Sequence, residues 1–173
     1  YEHTVYDMMA EEADLDECLV KNIQDNLDVL PSDMNLAGAE IEFQEVEDKE
    51  TLLKRYLDKV RDNYDFILID CPPSLNILTI NALTAADTVL VPIQCEYYAL
   101  EGLNQVLKTV ELVKRKLNPQ LELEGVVFTM YDARTNLSLQ VVESVKNNLN
   151  QTIYKTIIQR NVRLEESPSN VMN

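Results

Sequence analysis

The segment Phe66–Ser74 carries the pattern with the clearest chemical potential, because an apolar run in it ends in one aspartate, Asp70, and two prolines follow. Four consecutive apolar residues without polar alternation predict a central parallel strand that is buried on both faces. Open α/β sheets bind ligands at the carboxyl ends of such strands, and in nucleotide hydrolases a carboxylate there holds magnesium, directly or through water. A strand that merely ends in a structural aspartate would give the same pattern, so both interpretations remain open at this point.

The glycines of the chain exclude a phosphate-binding loop of the Walker type within it. Such a loop requires a glycine followed directly by lysine. The three glycines are instead followed by alanine, leucine and valine, at Gly38, Gly102 and Gly125. Because the chain also begins at Tyr1 rather than at methionine, we interpret it as an interior piece of a longer protein.

Composition sets further limits on function. The 173 residues are 46% hydrophobic, enough for one domain with a real core. The net charge of −15 repels phosphate backbones, so any contact with nucleic acid must come from a local basic cluster. His3 is the only histidine, which excludes histidine-based triads and argues against a zinc site. Three cysteines without metal-type spacing favour reduced cytosolic thiols, and no run approaches the length of a membrane span.

Apolar periodicity predicts strands that alternate with helices, which is typical of parallel βαβ units in a three-layer sheet. A weak helical signal covers 4–19, with Asp14 as a possible cap, and a short strand begins at Leu27. The remaining predicted elements are helices over 36–44, 49–63, 75–86, 97–117 and 138–149, and strands over 66–70, 88–93, 123–130 and 153–158.

Five ordered blocks of sequence closely resemble the ParA/Soj family of chromosome and plasmid partitioning ATPases. Their order and spacing match along nearly the whole chain, which is far more specific than one short motif. The blocks are 70–75 (DCPPSL), 78–87 (LTINALTAAD), 92–102 (PIQCEYYALEG), 129–137 (TMYDARTNL) and 154–164 (YKTIIQRNVRL).

The resemblance implies the deviant Walker A branch of P-loop hydrolases. Its fold is a three-layer α/β P-loop NTPase-like fold, with a mainly parallel twisted sheet flanked by helices. Residues 1–173 would form a single truncated nucleotide hydrolase domain, incomplete at both ends. The phosphate-loop strand would lie upstream, beside the strand that ends at Asp70, and the family's final helix downstream. We therefore expect the isolated chain to fold poorly, since an apolar sheet edge would stay open, and to be inactive alone, since it lacks the phosphate-binding loop.

The resemblance also implies a nucleotide site for ATP and Mg²⁺. Asp70 matches the Walker B aspartate, which would position magnesium through its water shell. Pro72, Pro73 and Ser74 resemble a switch-like turn that senses the terminal phosphate, although they could equally serve only to stop the strand. The loops that flank adenine in the family correspond to Met130, Arg160 and Asn161, with contacts that often come from backbone atoms.

Two arginines, Arg134 and Arg163, match those that the Soj branch uses to touch DNA without sequence preference. Arginine suits this role because its forked donors bind phosphate. Lys155 and Arg160 would widen the patch. The competing interpretation is two ordinary surface arginines, which the net charge of −15 favours.

Other positions leave alternatives or depart from the family pattern. Tyr97 and Tyr98, with Gln94 and Glu96 beside them, could belong to a dimer or partner face, or the tyrosines could cap the core. Asn76 stands where glycine is common, and Gln159 replaces a proline.

The resulting functional hypothesis is the core of a cytoplasmic, nucleoid-associated partition ATPase. ATP-bound subunits would form a homodimer that binds DNA nonspecifically, and a ParB-like partner would stimulate hydrolysis. One alternative is a MinD-like ATPase that cycles on membranes, which would need a C-terminal amphipathic helix. Another is a non-catalytic interaction module, if the gene lacks a phosphate loop. The block at 96–102 favours the partition branch, for which no membrane association is expected.

Overall fold

The computed structural model describes residues 2–72 and 74–161, and the chain divides into two compact units. The first unit covers residues 1–86 and the second covers residues 87–173. Each unit has its own cluster of buried apolar side chains.

The first unit consists of short helices and one antiparallel hairpin around a core that includes Met8, Cys18, Phe43 and Leu52. Single turns of 3₁₀ helix at 34–37, 43–45, 49–51 and 61–63 connect the longer elements. The bounds of these elements are α1 (Val5–Met9), α2 (Leu15–Cys18), β1 (Val20–Gln24), β2 (Leu27–Val29), α3 (Ala39–Glu42), α4 (Leu52–Leu57) and α5 (Ile77–Ala85).

The weak helix predicted over 4–19 is two short helices, because each has its own cap. The Thr4 side chain accepts a hydrogen bond from the Tyr6 amide, and Asp7 reaches back to the Thr4 amide at 2.6 Å. After α1 the backbone turns at Glu11, whose φ of 61° is the left-handed conformation that commonly ends helices. The predicted cap Asp14 is confirmed, with its amide donating to the Glu17 carboxylate at 2.9 Å.

The prediction of a buried strand over 66–70 is wrong for the described structure. These residues form neither helix nor strand, and Phe66 and Leu68 are 85% and 92% exposed. Only Ile69 packs against the core of the first unit. An apolar run becomes a buried strand only where neighbouring strands pair with its backbone and other side chains cover it. The described residues supply no strand that pairs with this segment.

The second unit confirms the predicted βαβ pattern, with each end within about two residues of its predicted place. The three strands form a parallel sheet in the order β3-β4-β5. The bounds are β3 (Thr88–Gln94), α6 (Ala99–Lys116), β4 (Glu122–Tyr131), α7 (Asn136–Asn148) and β5 (Ile153–Gln159).

The core of the second unit lies between this sheet and the two helices. Val126 and Phe128, on the central strand, have no exposed surface and pack in one cluster with Leu103 of α6 and Val145 of α7. Along β3 the buried residues alternate with exposed ones, so this strand is buried on one face.

The amino-terminal edge of the sheet is joined across all three strands by one carboxylate. Glu124 on β4 accepts hydrogen bonds from Thr88 on β3 at 2.7 Å and from the Tyr154 hydroxyl on β5 at 2.9 Å. Beside it, a Cβ added at Gly125 would lie 2.8 Å from the Tyr154 ring and 3.1 Å from the Thr152 carbonyl oxygen. Position 125 therefore has room only for glycine.

We expect Gly125→Ala to destabilise the protein by about 1–3 kcal/mol, because the added methyl must displace a hydrogen-bonded ring and a strand backbone. The matched control is Gly102→Ala in α6, where an added Cβ meets nothing within 4 Å. Alanine inside a helix should stabilise by about 0.5–1 kcal/mol. Denaturant unfolding of the complete protein gives both values, and equal effects of the two variants would contradict the close approach.

Candidate functional site

In the first unit, Asp70 is placed as an exposed carboxylate that makes no hydrogen bond or ion pair with any described residue. Among those residues no group of three or more His, Cys, Asp or Glu could hold a metal by itself. A single available carboxylate nevertheless fits Mg²⁺, which proteins commonly hold through one or two carboxylates while waters and phosphates complete the shell. Pro72 is exposed beside it, and Pro73 lies outside the described residues.

The turn after Asp70 is tied to the start of α5. Asn76 is the N-cap of this helix, and its side-chain oxygen accepts from the amides of Leu78 at 3.1 Å and Thr79 at 3.2 Å. The Thr79 hydroxyl donates to the Ser74 carbonyl at 2.6 Å. Asparagine is among the residues preferred at N-caps and is a stronger cap than glycine, which gives a structural reason for the residue at position 76.

In the second unit, the carboxyl edge of the sheet brings Met130, Arg160 and Asn161 to one place. The Arg160 amide donates to the Tyr131 carbonyl at 3.0 Å, so the residues that follow β5 pair with the end of β4. Met130 lies inside β4, one residue before its end, rather than after it. Its φ of 53° is left-handed, where the register with β5 shifts. Such a conformation costs about 1–3 kcal/mol in a residue with a side chain and clusters at functional sites.

The loop between β4 and α7 holds an ion pair that the sequence reasoning missed. Arg134 donates from Nε to Oδ1 of Asp132 at 2.9 Å and from an Nη to Oδ2 at 2.8 Å, and its amide donates to Oδ1 at 2.9 Å. The Asp132 side chain is 20% exposed, whereas that of Arg134 is 89% exposed. An aspartate two residues before an arginine in a turn-like segment is the signal that could have suggested the pair.

These bonds change the acidity of both partners. The side-chain hydrogen bond from Arg134, then its amide, lowers the pKa of Asp132 from 3.8 to about 2, and the charges of Arg134 and Arg160 act in the same direction. The pKa of Arg134 is raised, chiefly by its hydrogen bond to Asp132. Asp132 is therefore ionised at neutral pH and neutralises part of the charge that Arg134 presents.

The start of α7 fixes this loop through backbone groups of Asp132. The Asp132 amide donates to the Ser138 hydroxyl at 3.2 Å, and the Thr135 hydroxyl lies 3.1 Å from the Asp132 carbonyl. Thr135 is also the N-cap of α7, where its hydroxyl accepts from the Ser138 amide. Arg163, the other arginine predicted to touch DNA, lies outside the described residues.

Tyr97 and Tyr98, at the start of α6, point to solvent. They are 78% and 73% exposed, and their rings meet edge to face with centroids 5.1 Å apart. The interpretation that they cap the core is therefore wrong for the described unit.

Comparison with known proteins identifies the family. Residues 1–123 match the family model described as "AAA domain". The sporulation initiation inhibitor protein Soj of Bacillus subtilis is 55% identical over 97% of the chain and 66% of its own length. The chromosome partitioning protein ParA of Caulobacter vibrioides is 48% identical over 96% of the chain and 63% of its own length. The chain belongs to the ParA/Soj family.

A solved structure agrees with this membership and with the predicted P-loop-type α/β fold. Cobyrinic acid a,c-diamide synthase of Mycobacterium smegmatis, crystallised with a bound ATP analog and magnesium, is 36% identical with a TM-score of 0.85. The match covers 93% of this chain and 66% of that one. The chain spans just under two thirds of the ParA/Soj relatives it matches, Soj and ParA. No helix of the described residues combines the length and apolar character that crossing a membrane requires.

The ion pair between Arg134 and Asp132 leads to a prediction about the pKa of Asp132 in this ParA/Soj chain. Arg134→Ala should raise the pKa of Asp132 from about 2 part of the way toward its ordinary value of 3.8, because the largest cause of the lowering is the side-chain hydrogen bond from Arg134, whereas the bond from the amide of residue 134 remains. Since the folded pKa is the lower one, the stability from this group is present above the unfolded pKa and is lost as pH falls through the folded value. A carboxyl ¹³C titration of the complete protein measures the change. An unaltered Asp132 midpoint in the variant would contradict the pairing.

Proposed function

We propose that the complete protein is a partition ATPase that binds ATP and Mg²⁺, forms a homodimer in the ATP state and holds DNA without sequence preference. A ParB-like partner then stimulates hydrolysis, in the cytoplasm at the nucleoid. The observation that carries the proposal is the carboxyl edge of the β3-β4-β5 sheet. Arg160 and Asn161, which we expect to flank the adenine base, follow β5 at this edge. Arg134, which we expect to contact DNA, follows the neighbouring strand β4.

The magnesium part of the proposal rests on Asp70 in the first unit. Asp70 offers the carboxylate for the water shell of magnesium, and the stiff Pro72–Pro73 turn follows it. When bound, magnesium stabilises the charge that develops on the transferred phosphoryl group. Residues of the complete protein outside this chain supply the phosphate loop, and without them the chain is inactive. The exposure of Phe66 and Leu68 supports a further strand beside Asp70, because an apolar run of this kind is normally covered.

The base lies against the carboxyl edge of the sheet, where α/β folds generally bind nucleotides. The left-handed Met130 supports this assignment, since it redirects the backbone at the end of the strand. Arg160 and Asn161 flank the base from the neighbouring strand end. Gln159, the last residue of β5, pairs with Tyr131 of β4 in the parallel sheet.

The DNA half rests on Arg134, whose side chain is almost fully exposed, together with Arg163. In a chain with a net charge of −15, nonspecific binding requires such a local site. The exposed pair Tyr97 and Tyr98 supports a protein-binding face, because solvent-exposed aromatic rings are enriched at interfaces. We assign that face to the dimer or the ParB-like partner.

We expect Asp70→Ala in the complete protein to abolish ATP turnover that depends on Mg²⁺, because the variant loses the carboxylate that would hold the water shell of magnesium. The control is Asp65→Ala, an exposed aspartate of the same segment, which should leave turnover unchanged. Steady-state phosphate release measures both. Undiminished turnover in Asp70→Ala would remove this residue from the mechanism.

The double variant Arg134→Ala, Arg163→Ala should weaken DNA binding while ATP-dependent dimerisation persists. Each lost phosphate contact should reduce the slope of log K against log salt by about one. Arg115→Ala, an exposed arginine at the end of α6, is the matched control. Fluorescence anisotropy with a labelled duplex, at several salt concentrations, separates the variants. Equal affinity and slope for all of them would refute the assignment.

A further inference from the structure

The Asp132 side chain has one kind of partner in the described structure: all three of its hydrogen bonds come from Arg134. We propose that Asp132 competes with DNA phosphate for the Arg134 guanidinium and thereby limits the strength of DNA binding. This inference rests on the proposed DNA-binding role of Arg134. It assigns to Asp132 a positioning role, because the aspartate would act on DNA through the arginine.

The geometry of the pair places carboxylate where phosphate would bind. Nε and one Nη of Arg134 point to the two oxygens of Asp132, at 2.9 and 2.8 Å. A guanidinium presents such parallel donors to carboxylate and phosphate in the same bidentate manner. While Asp132 occupies this edge, a phosphate can reach only the remaining donors of Arg134.

The two members of the pair differ in exposure. The arginine side chain is 89% exposed, so a phosphate can approach its guanidinium from solvent. The Asp132 side chain is 20% exposed, and its Oδ1 also accepts the Arg134 amide at 2.9 Å, which ties the carboxylate to the loop backbone. An exchange of carboxylate for phosphate would therefore reorient the arginine and leave the aspartate in the loop.

A second cation acts on the same carboxylate. The charge of Arg160, which follows β5, lowers the pKa of Asp132 together with Arg134. Arg160 therefore favours the ionised form of the carboxylate that competes for Arg134. The bond from the Arg160 amide to the Tyr131 carbonyl links the loop after β4 to the loop after β5.

The variant Asp132→Asn isolates the competing charge. Asparagine retains Oδ1 as an acceptor for the Arg134 amide, but it carries no charge and presents an NH₂ group in place of Oδ2. The bonds from this loop to Thr135 and Ser138 use backbone atoms of residue 132 and are unaffected. Glu143→Gln is the matched control, because Glu143 is an exposed carboxylate on α7 and its loss changes the net charge equally.

The experiment measures binding of the complete protein, with ATP and Mg²⁺, to a labelled duplex of arbitrary sequence between about 50 and 200 mM salt. Asp132→Asn should bind about threefold more tightly at the low-salt end, as expected for removing a unit charge near a phosphate in water. Its salt slope should steepen by up to about 0.9, since one further phosphate contact becomes available. Glu143→Gln should match the wild type, and Asp132→Asn should give a clearly smaller gain when Arg134→Ala is also present.

Three results would overturn the inference: an Asp132→Asn variant that binds no better than the wild type, one that binds no better than Glu143→Gln, or an undiminished gain in the Arg134→Ala background. The last would mean that Asp132 repels DNA directly. If the wild type binds DNA and Arg134→Ala weakens it, any of these results leaves the proposed DNA-binding role intact. If the wild type does not bind DNA, or Arg134→Ala binds as well as the wild type, that role fails and the inference fails with it.

Discussion

The parallel ladder of β3, β4 and β5 is the constraint on which the candidate site of the second unit depends. Its central strand buries Val126 and Phe128 completely, and Phe128 pairs with Ile93 on one side and Ile157 on the other. Because parallel strands end at the same edge, this register brings the residues after β4 and β5 together. The Tyr131–Arg160 backbone bond extends the ladder into those loops and holds them at a fixed separation.

The two edges of the sheet differ in kind. At the amino-terminal edge, Glu124 joins the three strands through side chains, and the ring of Tyr154 packs against Gly125. At the carboxyl edge, the backbone turns left-handed at Met130, and a charged loop leads into α7. The contacts at the first edge hold the three strands together and are structural in kind. The second carries backbone strain and exposed charge, which are features of binding sites.

The fold of the second unit was predictable because β3, β4, α6 and α7 each contribute buried apolar side chains to one cluster, against which Ile153 and Ile157 of β5 pack. The periodicity of β3 to β5 therefore located them to within a few residues. The segment 66–70 has an equally clear apolar pattern, but such a pattern reports burial only when a partner strand is present, and none pairs with it among the described residues. The prediction of one helix over 4–19 was wrong for a different reason. The caps at Thr4 and Asp14 start two separate helices, whereas the apolar spacing indicated only one.

Prediction of the site residues was similarly uneven. The positions of Arg160 and Asn161 after β5 agree with the predicted strand end, but the sequence did not indicate that Met130 lies inside β4 with a left-handed φ. Asp132 was missed because its significance lies in a three-bond contact with Arg134 that spacing only hints at. The role of Asn76 as the N-cap of α5 likewise became clear only from the hydrogen bonds that its side chain accepts.

Amide hydrogen exchange of the complete protein, with and without ATP and Mg²⁺, tests most directly the claim that the carboxyl edge is the functional one. The segments 129–134 and 159–161 report on that edge, and 122–126 and 152–155 report on the amino-terminal edge of the same strands. We expect nucleotide to slow exchange at the carboxyl edge and to leave the amino-terminal edge unchanged. Protection confined to the amino-terminal edge, or equal at both, would contradict the placement of the nucleotide.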